Sequence, residues 1–251
     1  MKKLLLIATL CVLGLFNLNA QEPESIFVGG GGENFRYSLT YVYNKYSITQ
    51  QIFVADEMQN KSGKVTSVSF KGTKAATRNF KVYMVNTDKT SFSSGSDWAA
   101  ITENDLVYSG FVTFPANDWV TITFQTPFTY KKGKNLVLCV NDVTGSDQMS
   151  ITQFASDSKS DSRLLYVNDY YNGYDATNIT ASGTLESKLN HVKFTIVDDG
   201  SGEILDEAPE APTGLTAKAL SDTEIELSWT ASEKATGYKV YQKGNETAIA
   251  S

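Results

Sequence analysis

One local pattern recurs along most of this chain: short runs in which β-branched or aromatic residues alternate with polar ones, each closed by a cluster of Gly, Ser, Asn or Lys. Val65-Thr66-Ser67-Val68-Ser69-Phe70 is the clearest instance. A period of two sends alternate side chains to opposite faces, so such a run is stable as a strand with one face buried. Phe80 to Val85 continues the pattern, and further strands are predicted over Tyr46 to Val54, Leu106 to Phe114, Trp119 to Phe124, Leu136 to Asn141, Met149 to Phe154, Arg163 to Val167 and His191 to Val197. Lys61-Ser62-Gly63-Lys64, Ser93-Ser94-Gly95-Ser96 and Lys131-Lys132-Gly133-Lys134 are turns between them. Extended helical periodicity and long internal repeats are missing, and a single helical turn is predicted near Ala99 to Asn104. Many short strands without intervening helices predict an all-β fold, an antiparallel β-sandwich of jelly-roll type.

The first residues set the compartment. Met1-Lys2-Lys3 is basic, Leu4 to Phe16 is apolar, and Asn17-Leu18-Asn19-Ala20 precedes a polar stretch. This order predicts a secretory signal peptide over residues 1–20, cleaved after Ala20, and a secreted or cell-surface protein. The apolar run is too short to span a bilayer comfortably. Cys11 follows Thr9-Leu10 and lacks the small residue expected before a lipid-modified Cys, and no other stretch is apolar enough to span, so no integral membrane segment is expected in the mature chain. Of the two cysteines, Cys139 alone would remain, which leaves stability to an ordinary core rather than a disulfide. The balance of 22 basic to 28 acidic residues, net −6, without a Lys/Arg cluster, argues against nucleic acid as a partner.

Composition also marks boundaries. Residues 21–198 are long enough for one large sandwich. Residues 199–211 are rich in acid, Gly and Pro and read as an extended linker. Beyond it come Ala211-Pro212-Thr213-Gly214-Leu215, then Ile225-Glu226-Leu227-Ser228-Trp229, then Gly237-Tyr238-Lys239-Val240-Tyr241. These residues resemble the opening strands A, B and C of a fibronectin type III domain, a resemblance that implies a core Trp229. Such a sandwich takes about 100 residues, so residues 212–251 are predicted to be an incomplete domain, too small to fold alone.

The central region resembles a second family. Tyr46 to Phe53, Thr77 to Tyr83, Ser91 to Trp98, Asp118 to Ile122, Thr126 to Tyr130, Asn135 to Leu138 and Asp142-Val143-Thr144-Gly145 are similar to the β-sandwich adhesin modules of gingipains and hemagglutinins of anaerobic bacteria. That resemblance implies an exported, non-catalytic module, often followed by fibronectin type III domains. In it, Trp98 and Trp119 are expected as core or loop anchors.

Catalytic chemistry finds little support in the residues. Gly29-Gly30-Gly31-Gly32 lacks the Gly-Lys-Ser/Thr of a phosphate loop and is expected to lead flexibly into the first strand. The sole histidine, His191, is expected as a polar strand-edge residue, and Cys139, within Leu136-Val137-Leu138-Cys139-Val140, as a small core residue. No carboxylate pair follows a glycosidase pattern, and no His/Cys spacing suggests zinc. The chain is therefore not expected to be an enzyme.

Two constellations remain. Asp142, Asp147, Asp157, Asp161, Asp169 and Asp175, with Asn141, Asn168, Asn172 and Asn178, occupy loops rich in the oxygen ligands that Ca²⁺ takes. Without an Asp-x-Asp-x-Asp-Gly loop they read as solvated turn residues, with a structural calcium as the alternative. The other constellation is aromatic: Tyr37, Tyr41, Tyr43 and Tyr46, and separately Tyr166, Tyr170, Tyr171 and Tyr174. Tyr pairs a flat apolar face with a polar edge, suited to sugar rings or interface hot spots. Tyr170, Tyr171 and Tyr174, with Asn168, Asp169, Asn172 and Asp175, are the predicted binding loop. The expected role is binding or adhesion, to a glycan or an extracellular protein. The alternative is an accessory region of a longer secreted peptidase or glycan-degrading enzyme.

Overall fold

The computed structural model describes residues 22–202, apart from Gly31, Arg36 and 149–151, and residues 211–250, apart from Lys234, Thr236 and 242–247. The predicted signal peptide and much of the predicted linker lie outside the described residues. Alternating runs become strands β1 (Glu24–Val28), β2 (Glu33–Phe35), β3 (Tyr46–Phe53), β4 (Gly63–Gly72), β5 (Ala76–Thr87), β6 (Leu106–Phe114), β7 (Asp118–Tyr130), β8 (Asn135–Asp142), β9 (Phe154–Ser158), β10 (Leu164–Asp169), β11 (Thr184–Glu186), β12 (Lys188–Asn190) and β13 (Val192–Val197). They pair antiparallel in two sheets. Sheet I has the order β1-β13-β4-β9-β12, with β2 beside β9 and β7 beside β4; sheet II has the order β11-β10-β3-β8-β5-β6. Among the described residues, no helix is long and apolar enough to cross a membrane.

Alternation decides what lies between the sheets, with one register shift in β4 between Val65 and Ser67 that turns Val65 inward as well. Val192, Phe194 and Ile196 of β13 and Val65, Val68 and Phe70 of β4 point inward from sheet I, towards Phe80, Val82 and Met84 of β5 and Leu136, Leu138 and Val140 of β8. Edge-on ring contacts link Phe53 to Phe194 and Phe114 to Phe154, each with centroids 5.2 Å apart. Each such buried side chain contributes about 1.5–3 kcal/mol. The molecule is thus an all-β antiparallel sandwich.

Sheet II is covered on its outer face as well, which is why β3 and β8 are buried at almost every position. Ile48, Tyr83 and Cys139 pack outward against Ile101 and Ala176, and Ile52, Val137 and Leu165 against Phe92 and Ala99. Both covers are loops, so their backbone groups need partners. The Gln50 side chain supplies a pair, donating from Nε2 to the Ala99 carbonyl (3.0 Å) and accepting from the Ala99 N–H at Oε1 (2.7 Å). Trp98 donates from Nε1 to the Ala181 carbonyl at 2.9 Å, an anchoring role that suits the expectation for it. Gly183 lies flush beneath that indole, where a Cβ would come within 2.7 Å of the ring.

At one end of sheet II a fully buried ion pair joins β5 to β8: Arg78 Nε donates to Asp142 Oδ2 at 2.6 Å, with both side chains at 0% exposure. The other guanidinium nitrogens donate to the carbonyls of Asn44 (2.8 Å) and Ser146 (2.6 Å). Asp142 also accepts from the hydroxyls of Thr40 and Thr144, each at 2.5 Å. A second charged cluster is partly buried, with Glu57 accepting from Arg163 (2.7 and 2.9 Å) and Lys159 (2.9 Å). Burial alone would raise the Glu57 pKa, but these bonds and charges outweigh it and hold the carboxyl below its ordinary value.

Several expectations shift in detail. Of the strand predicted over Met149 to Phe154, residues 149–151 lie outside the described set, and the strand is Phe154–Ser158. Thr152 and Gln153 precede it, and Gln153 exchanges hydrogen bonds with Thr73, accepting from its N–H and donating to its hydroxyl. The helical turn is 3-10, Glu103–Asp105. It is closed by Thr102, whose N–H and hydroxyl both donate to Asp105 at 2.7 Å. Gly29, Gly30 and Gly32 follow the first strand rather than lead into it. The sandwich holds the chain past Asp198: Gly202 is buried and its carbonyl accepts from the Lys132 N–H at 2.9 Å.

Residues 211–250 belong to a second unit, with β14 (Thr213–Ala219) antiparallel to β15 (Ile225–Thr230) and β16 (Val240–Tyr241) antiparallel to β17 (Ala248–Ala250). Leu215, Leu220 and Ile225 are exposed. Trp229 is only half-buried, edge-on to Tyr238 at 5.3 Å.

Asp142→Asn strands the buried Arg78 guanidinium and should cost about 3 kcal/mol or more in urea denaturation. Lys61→Ala, which breaks the exposed pair with Glu24, should cost under about 1 kcal/mol. Because the folded-state pKa of Glu57 is depressed, its stabilisation is present above the unfolded value of 4.5 and is lost as pH falls through the folded value. Glu57→Gln should therefore be less stable than the parent at neutral pH, and the gap should narrow in acid, measured by urea titration across pH.

Candidate functional site

The register of β10 decides which of its side chains can meet a ligand. β10 pairs with β3 through Tyr166↔Thr49, Val167↔Ile48 and Asn168↔Ser47. Leu165 and Val167 go to the covered outer face of sheet II, so Tyr166 and Asn168 project from the other side. There they meet the loop between β2 and β3. Tyr37 stacks on Tyr166 with centroids 4.9 Å apart and planes 9° from parallel. The Asn44 amide donates to Asn168 Oδ1, and the Lys45 ammonium lies 4.3 Å from the Tyr170 ring centroid. Two segments distant in sequence are thus joined by ring on ring, amide on amide and cation on ring.

The rings continue to both sides. Phe35 meets Tyr37 at 5.6 Å, Tyr37 meets Tyr41 at 4.7 Å, Tyr41 meets Tyr43 at 6.1 Å, and Tyr170 meets Tyr171 at 5.2 Å. Tyr43 (44% exposed), Tyr170 (36%) and Tyr171 (81%) are the most open to solvent. Asp169 presents the end of the strip. Its carboxylate accepts from the N–H groups of Asn172 (2.7 Å) and Tyr171 (2.6 Å); these bonds hold its pKa below the ordinary carboxylate value and close the turn that pushes Tyr171 outward. Tyr170 donates to Asp147 Oδ2 at 3.3 Å.

The predicted loop therefore divides. Asn168, Asp169, Tyr170, Tyr171 and Asn172 form one end of the aromatic strip. Tyr174 turns the other way and packs, half-buried, on the outer cluster of Ile48, Tyr83 and Cys139. Burial pushes its hydroxyl up to about 12, and its carbonyl accepts from Asn141 Nδ2 at 2.8 Å. Asp175 caps the following turn, accepting from the Thr177 N–H (2.9 Å) and hydroxyl (2.8 Å), and these bonds lower its pKa. Both tyrosine groups were visible in the sequence; that Tyr37 meets Tyr166 was not, because the pairing is set by the path of the loop over β10.

The oxygen-rich residues do not converge. Asp142 is committed to Arg78 and two threonines, Asp169 and Asp175 to local turns, Asp161 to Arg163 (3.3 Å) and Asp157 to His191 (2.8 Å). Among the described residues, no three His, Cys, Asp or Glu side chains are placed to hold a metal ion. Cys139 belongs to sheet II, whereas His191, buried rather than an exposed edge residue, belongs with sheet I. Trp119 is neither core nor loop: it is half-buried in β7 with the Lys193 ammonium 4.2 Å from its ring centroid.

The chain matches no protein-family model, and no curated protein sequence is significantly similar to it.

Burial raises the Cys139 pKa far above that of a free thiol. Iodoacetamide should leave the Cys139 peptide unmodified in the native protein at pH 8 and alkylate it in urea, as read by peptide mass.

Proposed function

We propose that the protein is an exported binding module that holds a glycan along the strip from Tyr43 to Tyr171. The observation that carries this reading is the alternation along one surface of partly exposed tyrosine rings with amides and carboxylates. Apolar sugar faces stack on the rings, and hydroxyl groups pair with Asn172, Asp169 and Asp147. The surface sits on a sandwich edge fixed by buried contacts, where loops carry recognition and strands hold them in place. The export signal read in residues 1–20, the resemblance to adhesin modules and the fibronectin-like start at Pro212 support an adhesive role at the cell surface or in the medium. The same resemblance supports a jelly-roll strand path for the sandwich.

Each exposed ring contributes about 1 kcal/mol by analogy with aromatic pairs, so removing two corresponds to roughly a 30-fold loss. On a glycan array, Tyr43→Ala/Tyr171→Ala should lose binding by about that factor with its melting temperature nearly unchanged. Tyr174→Ala should lower the melting temperature and retain binding once folded. A double variant that folds and binds every glycan as before places the site elsewhere.

A further inference from the structure

A small cleft opens at the end of sheet I. His191 stands there, immediately before β13. Asp157 Oδ1 lies 2.8 Å from its Nε2, which fixes the ring. Gly29 lies against the imidazole so closely that a Cβ would come within 2.7 Å of it, at a φ of 152°. The antiparallel register that sets Val192 opposite Phe70 brings His191 beside Lys71, and Lys71 is opposite Trp119 in β7. The turn from β6 to β7 supplies Asn117, in the left-handed region at φ 57°. The cleft has a volume of about 290 Å³, and its side chains are those of Asn34, Lys71, Thr73, Asn117, Ala155 and His191.

The geometry points to a binding site for a single hydroxylated ring bearing one carboxylate, the chemistry of a uronic acid. The size suits one ring, at the lower end of small-molecule pockets. The described residues that line it include one lysine and no acid, although acids outnumber bases 28 to 22 in the chain; the Asp157 carboxylate beside it is engaged by His191. Among the described lining residues Ala155 carries the only purely aliphatic side chain, so a hydrophobic ligand gains little. Two primary amides and a hydroxyl, each able to donate and accept, match a row of sugar hydroxyls. A single ammonium matches a monoanion, whereas phosphate sites gather several backbone N–H groups at a helix N-terminus or nest. This cleft is separate from the tyrosine strip, and neither depends on the other.

His191 is the only histidine in the chain, so its imidazole C–H resonances report on the cleft alone. A chain without a histidine tag would be titrated with glucuronate, glucose, sulfate and phosphate while those resonances are followed by NMR. Glucuronate should shift them saturably, and glucose, sulfate and phosphate should bind at least tenfold more weakly. Lys71→Gln and Asn117→Gly should each weaken glucuronate binding at least tenfold while the remaining amide spectrum stays in place. The Gly variant removes the amide without straining the left-handed backbone. Resonances that stay still or drift without saturating overturn the proposal, as do glucose or sulfate matching glucuronate, or both variants binding as tightly as the parent.

Discussion

The buried pairing of Arg78 with Asp142 is the constraint on which the recognition surface depends. A guanidinium has five N–H donors and can give up none of its charge, so burying one commits the surrounding chain to supplying acceptors. Asp142 supplies one, and the carbonyls of Asn44 and Ser146 supply others. Those carbonyls belong to the two loops flanking the strip. Replacing a buried ion pair by apolar side chains of similar volume is often neutral or stabilising, so the contribution of this one lies in specification. It fixes where Tyr43, Asn44 and Lys45 stand by fixing the backbone between them.

From that anchor the two sheets take different roles. Sheet II carries loops on its outer face, and the cost of burying loop backbone is offset by side-chain amides, Gln50 for Ala99 and Asn141 for Tyr174. Gln51, the next residue along, serves the opposite face, exchanging bonds with Asn190 (2.7 and 2.9 Å). Adjacent glutamines therefore tie β3 to a loop on one side and to sheet I on the other. Sheet I is dressed with hydroxyl pairs, Ser67 with Thr195 and Ser69 with Thr121, each at 2.8 Å. Hydroxyls bonded to one another lie close to the sheet, so Phe27, Trp119, Lys71 and Lys193 stand above them.

What could be read from the sequence was whatever depended on local alternation. Val68 and Phe70, and Val192, Phe194 and Ile196, show an apolar residue at every second position, and both runs became strands facing one core, Val65 joining its face through the register shift before Ser67. β3 and β8 were found through their apolar or β-branched content rather than alternation, since both of their faces are buried. The failures share a cause, namely partners distant in the chain. Of Met149 to Phe154, residues 149–151 lie outside the described residues, and the strand begins at Phe154, where Phe35 and Gly72 offer a backbone to pair with. His191 resembled an edge residue because nothing near it in sequence shows Asp157 approaching from β9. Trp119 was expected as an anchor from the resemblance to adhesin modules, but its register opposite Lys71 turns it to the outer face of sheet I.

The division of the predicted tyrosine loop follows from parity alone. With Asn168 opposite Ser47, Val167 faces the loop-covered side of sheet II and Tyr166 faces Tyr37. A slip of one residue would exchange them, burying a tyrosine among Ile52, Phe92 and Val137 and exposing Leu165. The register is held by features that tolerate no slip: Leu165 in its outer cluster, and the Ile52 N–H bonded to the Arg163 carbonyl at 2.9 Å just before the strand begins. Arg163 is itself tied by two bonds to Glu57. The charged cluster at one end of β10 thus sets the register that presents Tyr166 and Tyr170 at the other, and the core side of the strand determines which rings remain open to a ligand.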